Sequence, residues 1–236
     1  MNYKFPALFI VSTPIGNMED VTIRAINVLK MVDVIACEDT RTTKKLLAKY
    51  DIKTKTISLH KFNEQKKTDF IIEEIKSGKN YAYVSEAGTP GISDPGYLIV
   101  KKGVDSNINI YPIPGVSAPI AAIAGSGLPN ENFIFEGFLH YKKNKRKEQL
   151  DNALKSPYTT VFFESPHRII SSLEMLCDLE PDREICIARE MTKLHEEFTR
   201  GKVYDLLKEF IKKDKIKGEF TLIIKGFKKK KSKIGG

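Results

Sequence analysis

Apolar and polar positions follow two regimes along this chain. Ala7–Val11, Val34–Cys37 and Tyr81–Val84 are unbroken apolar runs, the pattern of strands in a parallel sheet covered on both faces. Residues 56–59 and 108–112 read as two further strands. Between the runs, apolar side chains recur at helical spacing. Val21, Ala25, Val28, Leu29 and Val32 mark a helix that Asp20 can cap, and Thr40 can cap a second helix through residue 50. Phe70, Ile71 and Ile75 mark a third over 67–77, which Gly78 stops. Asp94-Pro95 starts a fourth, running to residue 102, with Pro in its first turn. This alternation predicts a parallel α/β unit with right-handed crossovers.

Pro112-Ile113-Pro114-Gly115 interrupts the alternation. It predicts an N-terminal α/β domain over 1–113 and a C-terminal α/β domain over 114–227. The second begins with a small-residue helix over 116–124. Strands are predicted at Phe133–Phe138, 159–163, 184–188 and 220–225, and helices at 146–154, 167–177 and Val203–Ile211. The close spacing of the last strands allows hairpins, so the second sheet is expected to be mixed. Residues 228–236 are rich in lysine and predict a basic disordered tail.

Composition narrows the class. The chain of 236 residues is 41% hydrophobic, ample for one large core or two small ones. Charge breaks every apolar run well before the ~18 residues of a membrane span. The N-terminus leads directly into the first strand, with no secretory leader expected. Cys37, Cys177 and Cys186 are widely spaced in apolar contexts, which suits free thiols in a reducing, cytoplasmic compartment. No Cys/His spacing matches a metal site. The net charge of +9 is partly clustered, at residues 142–147 and again from Lys228. Such clusters suit a polyanion; a solvated lysine-rich surface is the plain alternative.

The candidate chemistry lies in the turns that follow strands. Ser85-Glu86-Ala87-Gly88-Thr89-Pro90-Gly91-Ile92-Ser93-Asp94-Pro95-Gly96 is longer, stiffer and more polar than a connection requires. It stands at the carboxyl end of a strand, where open α/β sheets bind ligands. Ser12-Thr13-Pro14-Ile15-Gly16-Asn17, Glu38-Asp39-Thr40-Arg41 and Pro114-Gly115-Val116-Ser117-Ala118 are further polar turns. So are Phe163-Glu164-Ser165-Pro166-His167-Arg168 and Ala188-Arg189-Glu190-Met191-Thr192-Lys193. Each read alone is equally a helix cap or a solvated turn. No G-x-G-x-x-G and no G-x-x-x-x-G-K-[ST] occurs, so neither a dinucleotide fingerprint nor a P-loop is indicated.

Taken in order, these segments resemble the ribosomal small-subunit RNA methyltransferase I family, cytidine 2′-O-methyltransferases within the tetrapyrrole-methylase-like superfamily. The resemblance spans residues 7–226. It implies two α/β domains holding S-adenosylmethionine between them, usually a homodimer, and a cytidine ribose in the decoding region of 16S rRNA of the 30S subunit as substrate. Carried over by position, the cofactor would meet Pro14, Gly16, Gly88, Thr89, Ile92, Ser117 and Ala118, with Phe163, Glu164, Glu219 and Phe220 completing the pocket. Two departures stand out. The family commonly has Asp where this chain has Glu86, one methylene longer. Many members also continue into a small helical domain, whereas this sequence ends at Gly236. RNA engagement is then expected to rely on the 142–147 cluster and the lysine tail.

Methyl transfer to a ribose hydroxyl needs alignment, and a base or cation at the hydroxyl, with no metal. Candidates for that role are Glu86, Lys193 and Glu196; Lys193 would need a lowered pKa to act as base. Arg24, Arg41, His167, Arg168 and Arg189 are candidates to position RNA, together with Lys142, Lys143 and Arg146. Methylation of a tetrapyrrole or another small molecule, and a non-catalytic RNA-binding module, are the alternatives. The lysine clusters argue against a small macrocycle, and the density of polar strand-end turns argues against a binding module.

Overall fold

The computed structural model describes residues 3–227; the predicted tail over 228–236 lies outside them. The chain divides into two compact units, Met1–Ser117 and Ala118–Gly236.

The first unit runs β1 (Ala7–Val11), α1 (Ile23–Met31), β2 (Val34–Cys37), α2 (Thr40–Lys49), β3 (Lys55–Ser58), α3 (Glu64–Lys76), β4 (Tyr81–Val84), α4 (Tyr97–Asp105) and β5 (Asn109–Ile113). The strands form one parallel sheet in the order β3-β2-β4-β1-β5. Successive side chains of a strand point to opposite faces. Phe9, Val11, Ile35, Cys37 and Ala82 therefore pack with Val28 and Leu29 of α1 and Leu47 of α2. Leu8, Val34, Tyr81 and Tyr83 pack instead with Ile71 and Ile75 of α3 and Ile99 of α4. Both faces are covered, which is why these strands read as unbroken apolar runs. The helices that follow the neighbouring strands β1 and β4 thus leave to opposite faces. That reversal opens a crevice at the carboxyl ends of the two strands.

The second unit runs α5 (Ala118–Ser126), β6 (Phe133–Phe138), α6 (Lys143–Lys155), β7 (Thr159–Glu164), α7 (Ile169–Leu179), β8 (Glu184–Arg189), β9 (Glu197–Lys202), α8 (Val203–Ile211) and β10 (Phe220–Ile224). Its sheet has the order β6-β7-β10-β8-β9. β6 and β7 are parallel and every other pair is antiparallel, so the sheet is mixed. Phe162, Ile185, Ile187, Leu222 and Ile224 form the main core with side chains from α6, α7 and α8.

Four local features differ from the sequence expectation. The division falls after Ser117 rather than after 113. Residues 114–117 stay with the first unit because Gly115 backs directly onto Ser12 and Val116 accepts a hydrogen bond from Thr89. The caps of α1 and α2 are Thr22 and Asp39, not Asp20 and Thr40: Thr22 Oγ1 accepts from the Ala25 amide at 3.0 Å and Asp39 Oδ1 from the Arg41 amide at 2.7 Å. Asp20 instead ends a short 3-10 turn, Met18–Asp20. α4 begins at Tyr97, past Asp94-Pro95, because Gly96 takes φ +135° against the Tyr83 ring, a position an L side chain rarely adopts. Strand β9 was not legible at all. It lies at the sheet edge with charged residues on it and carries no clean apolar period.

Candidate active site

In the first unit, three strand-end turns are stitched into one shelf. The turn after β1 and the long loop after β4 exchange two backbone hydrogen bonds: Thr13 N donates to Gly88 O at 2.9 Å, and Gly88 N to Thr13 O at 3.0 Å. Ser12 N reaches Ile113 O at 3.2 Å, tying in the end of β5. Thr89 Oγ1 donates to Val116 O at 3.0 Å, so the 3.0 Å contact between the Ser12 and Thr89 hydroxyls has Ser12 as donor. A Cβ on Gly115 would stand 2.9 Å from the Ser12 Cβ, so only a glycine allows this closeness without a shift. The sequence-predicted positions Pro14, Gly16, Gly88, Thr89 and Ser117 all belong to these turns. Ile92 is exposed farther along the loop, and Ala118 starts α5. Beside the shelf is a cavity of about 190 Å³, lined by Pro14, Gly16, Thr42, Ser85 and Glu86 among others.

Next to it lies a group of carboxylates from neighbouring strand ends. Glu38 follows β2, and Glu86 and Asp94 belong to the loop after β4. Burial, then the charge of Glu38, raises the Asp94 carboxyl from 3.8 to about 6; a hydrogen bond with Ser85 opposes the shift and Glu86 adds to it. Glu38 is raised too, first by burial and then by Glu86, with His60 pulling the other way. Below them the Tyr83 hydroxyl is fully buried with no hydrogen-bond partner among the described residues. Its pKa is driven upward by burial and by the charges of Glu38, Glu64 and Asp94. His60 approaches from the end of β3. The Asn63 amide donates to His60 Nε2 at 3.3 Å while its Oδ1 accepts from the His60 amide at 2.9 Å. The neutral ring therefore carries its proton on Nδ1, which is buried with no hydrogen-bond partner among the described residues. Among the described residues no group of three or more His, Cys, Asp or Glu is arranged to hold a metal ion.

Sequence reasoning singled out Glu86 here but missed Asp94 as a titrating group. Asp94 was legible as part of the same loop, yet Asp-Pro before a helical pattern reads first as a helix start.

The second-unit candidates are mostly occupied by one another. Glu164 at the end of β7 is buried, and its carboxylate accepts from the Ser165 amide at 2.7 Å, Arg168 Nε at 2.9 Å and Ser172 Oγ at 2.6 Å. Glu164 and Arg168 thus hold the turn together rather than face a ligand, and His167 beside them is exposed. Phe163 is half-buried, with Phe135 and Phe138 edge-on at 5.0 and 5.2 Å. Phe220 is buried, so a ligand could meet it through its backbone alone. Lys193 bridges Glu190 at 3.0 Å and Glu219 at 3.1 Å. Burial works to lower its pKa, but the hydrogen bonds and charges of Glu190 and Glu219 outweigh that and the net direction is upward. Lys193 therefore stays an ammonium and does not meet the condition set for a base. Glu196 sits on an exposed turn, accepting from the Thr192 amide at 2.5 Å.

The basic candidates separate in the same way. Arg146 is not on the surface: α6 begins before it and turns it inward, where it donates to His140 O at 3.4 Å and Ser171 Oγ at 3.2 Å. Lys142 and Lys143 are exposed. Arg189 donates to Lys217 O at 2.8 Å and pairs with Glu197 at 3.4 Å. Arg24 donates to the Tyr3 hydroxyl at 3.1 Å. Arg41 is exposed and paired with Asp39 at 2.9 Å, which holds that carboxyl below its ordinary value.

Comparisons with known proteins fit this architecture. Residues 7–207 match the model of the tetrapyrrole (corrin/porphyrin) methylases. A ribosomal RNA small subunit methyltransferase I from Thermotoga maritima is 48% identical over 93% of this chain and 98% of its own length. The protein of the same name from Bacillus subtilis is 45% identical over 93% of this chain and 75% of its own. A crystal structure of uroporphyrin-III C-methyltransferase from Thermus thermophilus, complexed with S-adenosylhomocysteine, superposes with a TM-score of 0.64 over 92% of this chain and 97% of that one, at 16% identity.

Proposed function

From the premise that this chain belongs to the tetrapyrrole methylase family, and within it to the ribosomal RNA small subunit methyltransferase I group, we propose that it methylates the 2′-hydroxyl of a cytidine in the decoding region of 16S rRNA. S-adenosylmethionine is the donor, the 30S subunit the substrate, and the working form a cytoplasmic homodimer. The observation that carries this reading is the 45 and 48% identity to small-subunit rRNA methyltransferases over 93% of the chain.

The shelf fits the cofactor. The turns that carry Pro14, Gly16, Gly88 and Thr89 are tied to one another by the Thr13–Gly88 and Ser12–Thr89 bonds, and Pro14 and Gly16 line the adjoining cavity. When bound, the cofactor supplies a methyl group on a sulfonium, already a good leaving group. What the chain adds is alignment of the acceptor and a place for its proton. A carboxylate titrating near about 6 is ionised at neutral pH yet still basic enough to take a proton. Asp94 is therefore the favoured base, with burial and then the charges of Glu38 and Glu86 holding its pKa up. Lys142 and Lys143 meet RNA phosphate.

The deciding experiment is transfer of a tritiated methyl group to 30S subunits lacking the modification, followed by mapping of the labelled nucleotide. Label on one cytidine ribose is expected. Label on a base, or transfer to a tetrapyrrole with none to RNA, would overturn the reading.

A further inference from the structure

The loop after β3 carries a feature the site does not account for. Phe62 is 97% exposed, on a turn whose conformation its own side chain does nothing to maintain. Asn63 maintains it: its amide donates to His60 O at 2.9 Å, its Oδ1 accepts from the His60 amide, and its Nδ2 reaches Ser58 O at 3.4 Å. The turn thus presents Phe62 outward, with the His60 ring edge-on at 6.0 Å on one side. Lys61 and Lys66 are exposed nearby in the chain. β3 pairs with β2, and the Ser58 hydroxyl donates to Glu38 O at 3.4 Å, so this turn borders the carboxylate group.

We propose that Phe62 is a stacking platform for a base of single-stranded RNA flanking the acceptor nucleotide, with Lys61 and Lys66 meeting the adjoining phosphates. Single-stranded RNA is recognised largely by stacking unpaired bases on exposed aromatic side chains. Each base has a π face, so such a platform tolerates many sequences while fixing register. The lysines favour a polyanion over an apolar protein partner. The inference rests on the RNA reading above and adds to it a contact outside the chemistry.

The chain contains no tryptophan, so F62W supplies a single fluorescent reporter at the platform. Titration with a single-stranded RNA oligonucleotide of decoding-region sequence should quench it, and the same sequence in a duplex should quench it less. In steady-state methylation, F62A should raise KM for RNA about tenfold or more with kcat unchanged, and F62Y should restore it. Fluorescence unmoved by RNA, or an F62A enzyme with wild-type KM, would overturn the platform. If the wild type methylates no RNA, the proposed reaction fails, while the quenching titration still decides on stacking.

Discussion

The strand ends of the two units handle polar groups in opposite ways. In the second unit, Glu164 is saturated by Arg168, Ser172 and a backbone amide, and Lys193 is held between Glu190 and Glu219. In the first, Glu38, Glu86 and Asp94 crowd one another, and the Tyr83 hydroxyl and His60 Nδ1 are buried with no partner among the described residues. Paired groups have nothing left to offer a ligand; they fix a turn. Burial and neighbouring charge push Glu38, Asp94 and Tyr83 upward, and perturbed titration of this kind clusters at functional sites. On the proposed reading, the second unit's polar turns are scaffold and the first unit's carboxylates carry the proton.

The sharpest test is Asp94→Asn. It should lower kcat by about 10²–10⁴-fold and abolish the acidic limb of the rate profile, which Asp94 should place at about 6 in the wild type. It should also stabilise the fold. Folding raises the Asp94 pKa from 3.8 to about 6, so the folded chain binds that proton more tightly than the unfolded one. The resulting stability is present at acid pH and is lost as pH rises through that window. Asn stays neutral throughout, so the variant should match the wild type in acid and exceed it at neutral pH in urea unfolding. A variant equally active, or less stable at neutral pH, would break the comparison from the first unit's side.

Glu164→Ala tests the other side. Removing one partner of a buried ion pair typically costs about 3–5 kcal/mol, here with Ser172 left unpaired as well. Urea unfolding should show a loss of that order, and Glu164→Gln a smaller one. If Glu164→Ala folds normally and loses only cofactor affinity, the turn faces a ligand after all.

Gly115→Ala should cost about 1–3 kcal/mol, as overpacking does, because the new methyl group meets the Ser12 Cβ. It should also raise KM for the cofactor, since the shelf must open to admit it. The smallest effect is expected from Lys193→Met: within about 1 kcal/mol in stability, as for partly exposed ion pairs, and less than tenfold in kcat. A large fall in kcat with unchanged stability would return Lys193 to the chemistry.

The sequence showed the parallel sheet clearly because β1, β2 and β4 are buried on both faces and leave an apolar signature that no turn imitates. It hid β9, an edge strand whose charged residues break the period. For the site, the long loop and its neighbours were visible as unusual turns, but their connections were not. The hydrogen bonds joining Thr13 to Gly88 and Ser12 to Thr89 link positions far apart in the chain. Whether Arg146 faces solvent or Asp94 faces other carboxylates likewise depends on where α6 and α4 begin, and element boundaries are what local patterns define least well. The pairing of Glu164 with Arg168, four residues on, could have been read from spacing alone; their cap-like context drew attention to the ends of the segment instead.

All the strands, turns and carboxylates of the shelf lie within Met1–Ser117, one uninterrupted stretch of chain. A ribosome making this protein therefore synthesises every part of the shelf before it reaches β6. Domains generally fold as units, the N-terminal one first. β1 must nevertheless wait: its partners β4 and β5 emerge later, at Leu8↔Tyr81 and Ala7↔Asn109. Closing such distant pairings is slow, so β1 is made well before it can find its place between β4 and β5. Until then the apolar side chains of Ala7–Val11 have no sheet to bury them.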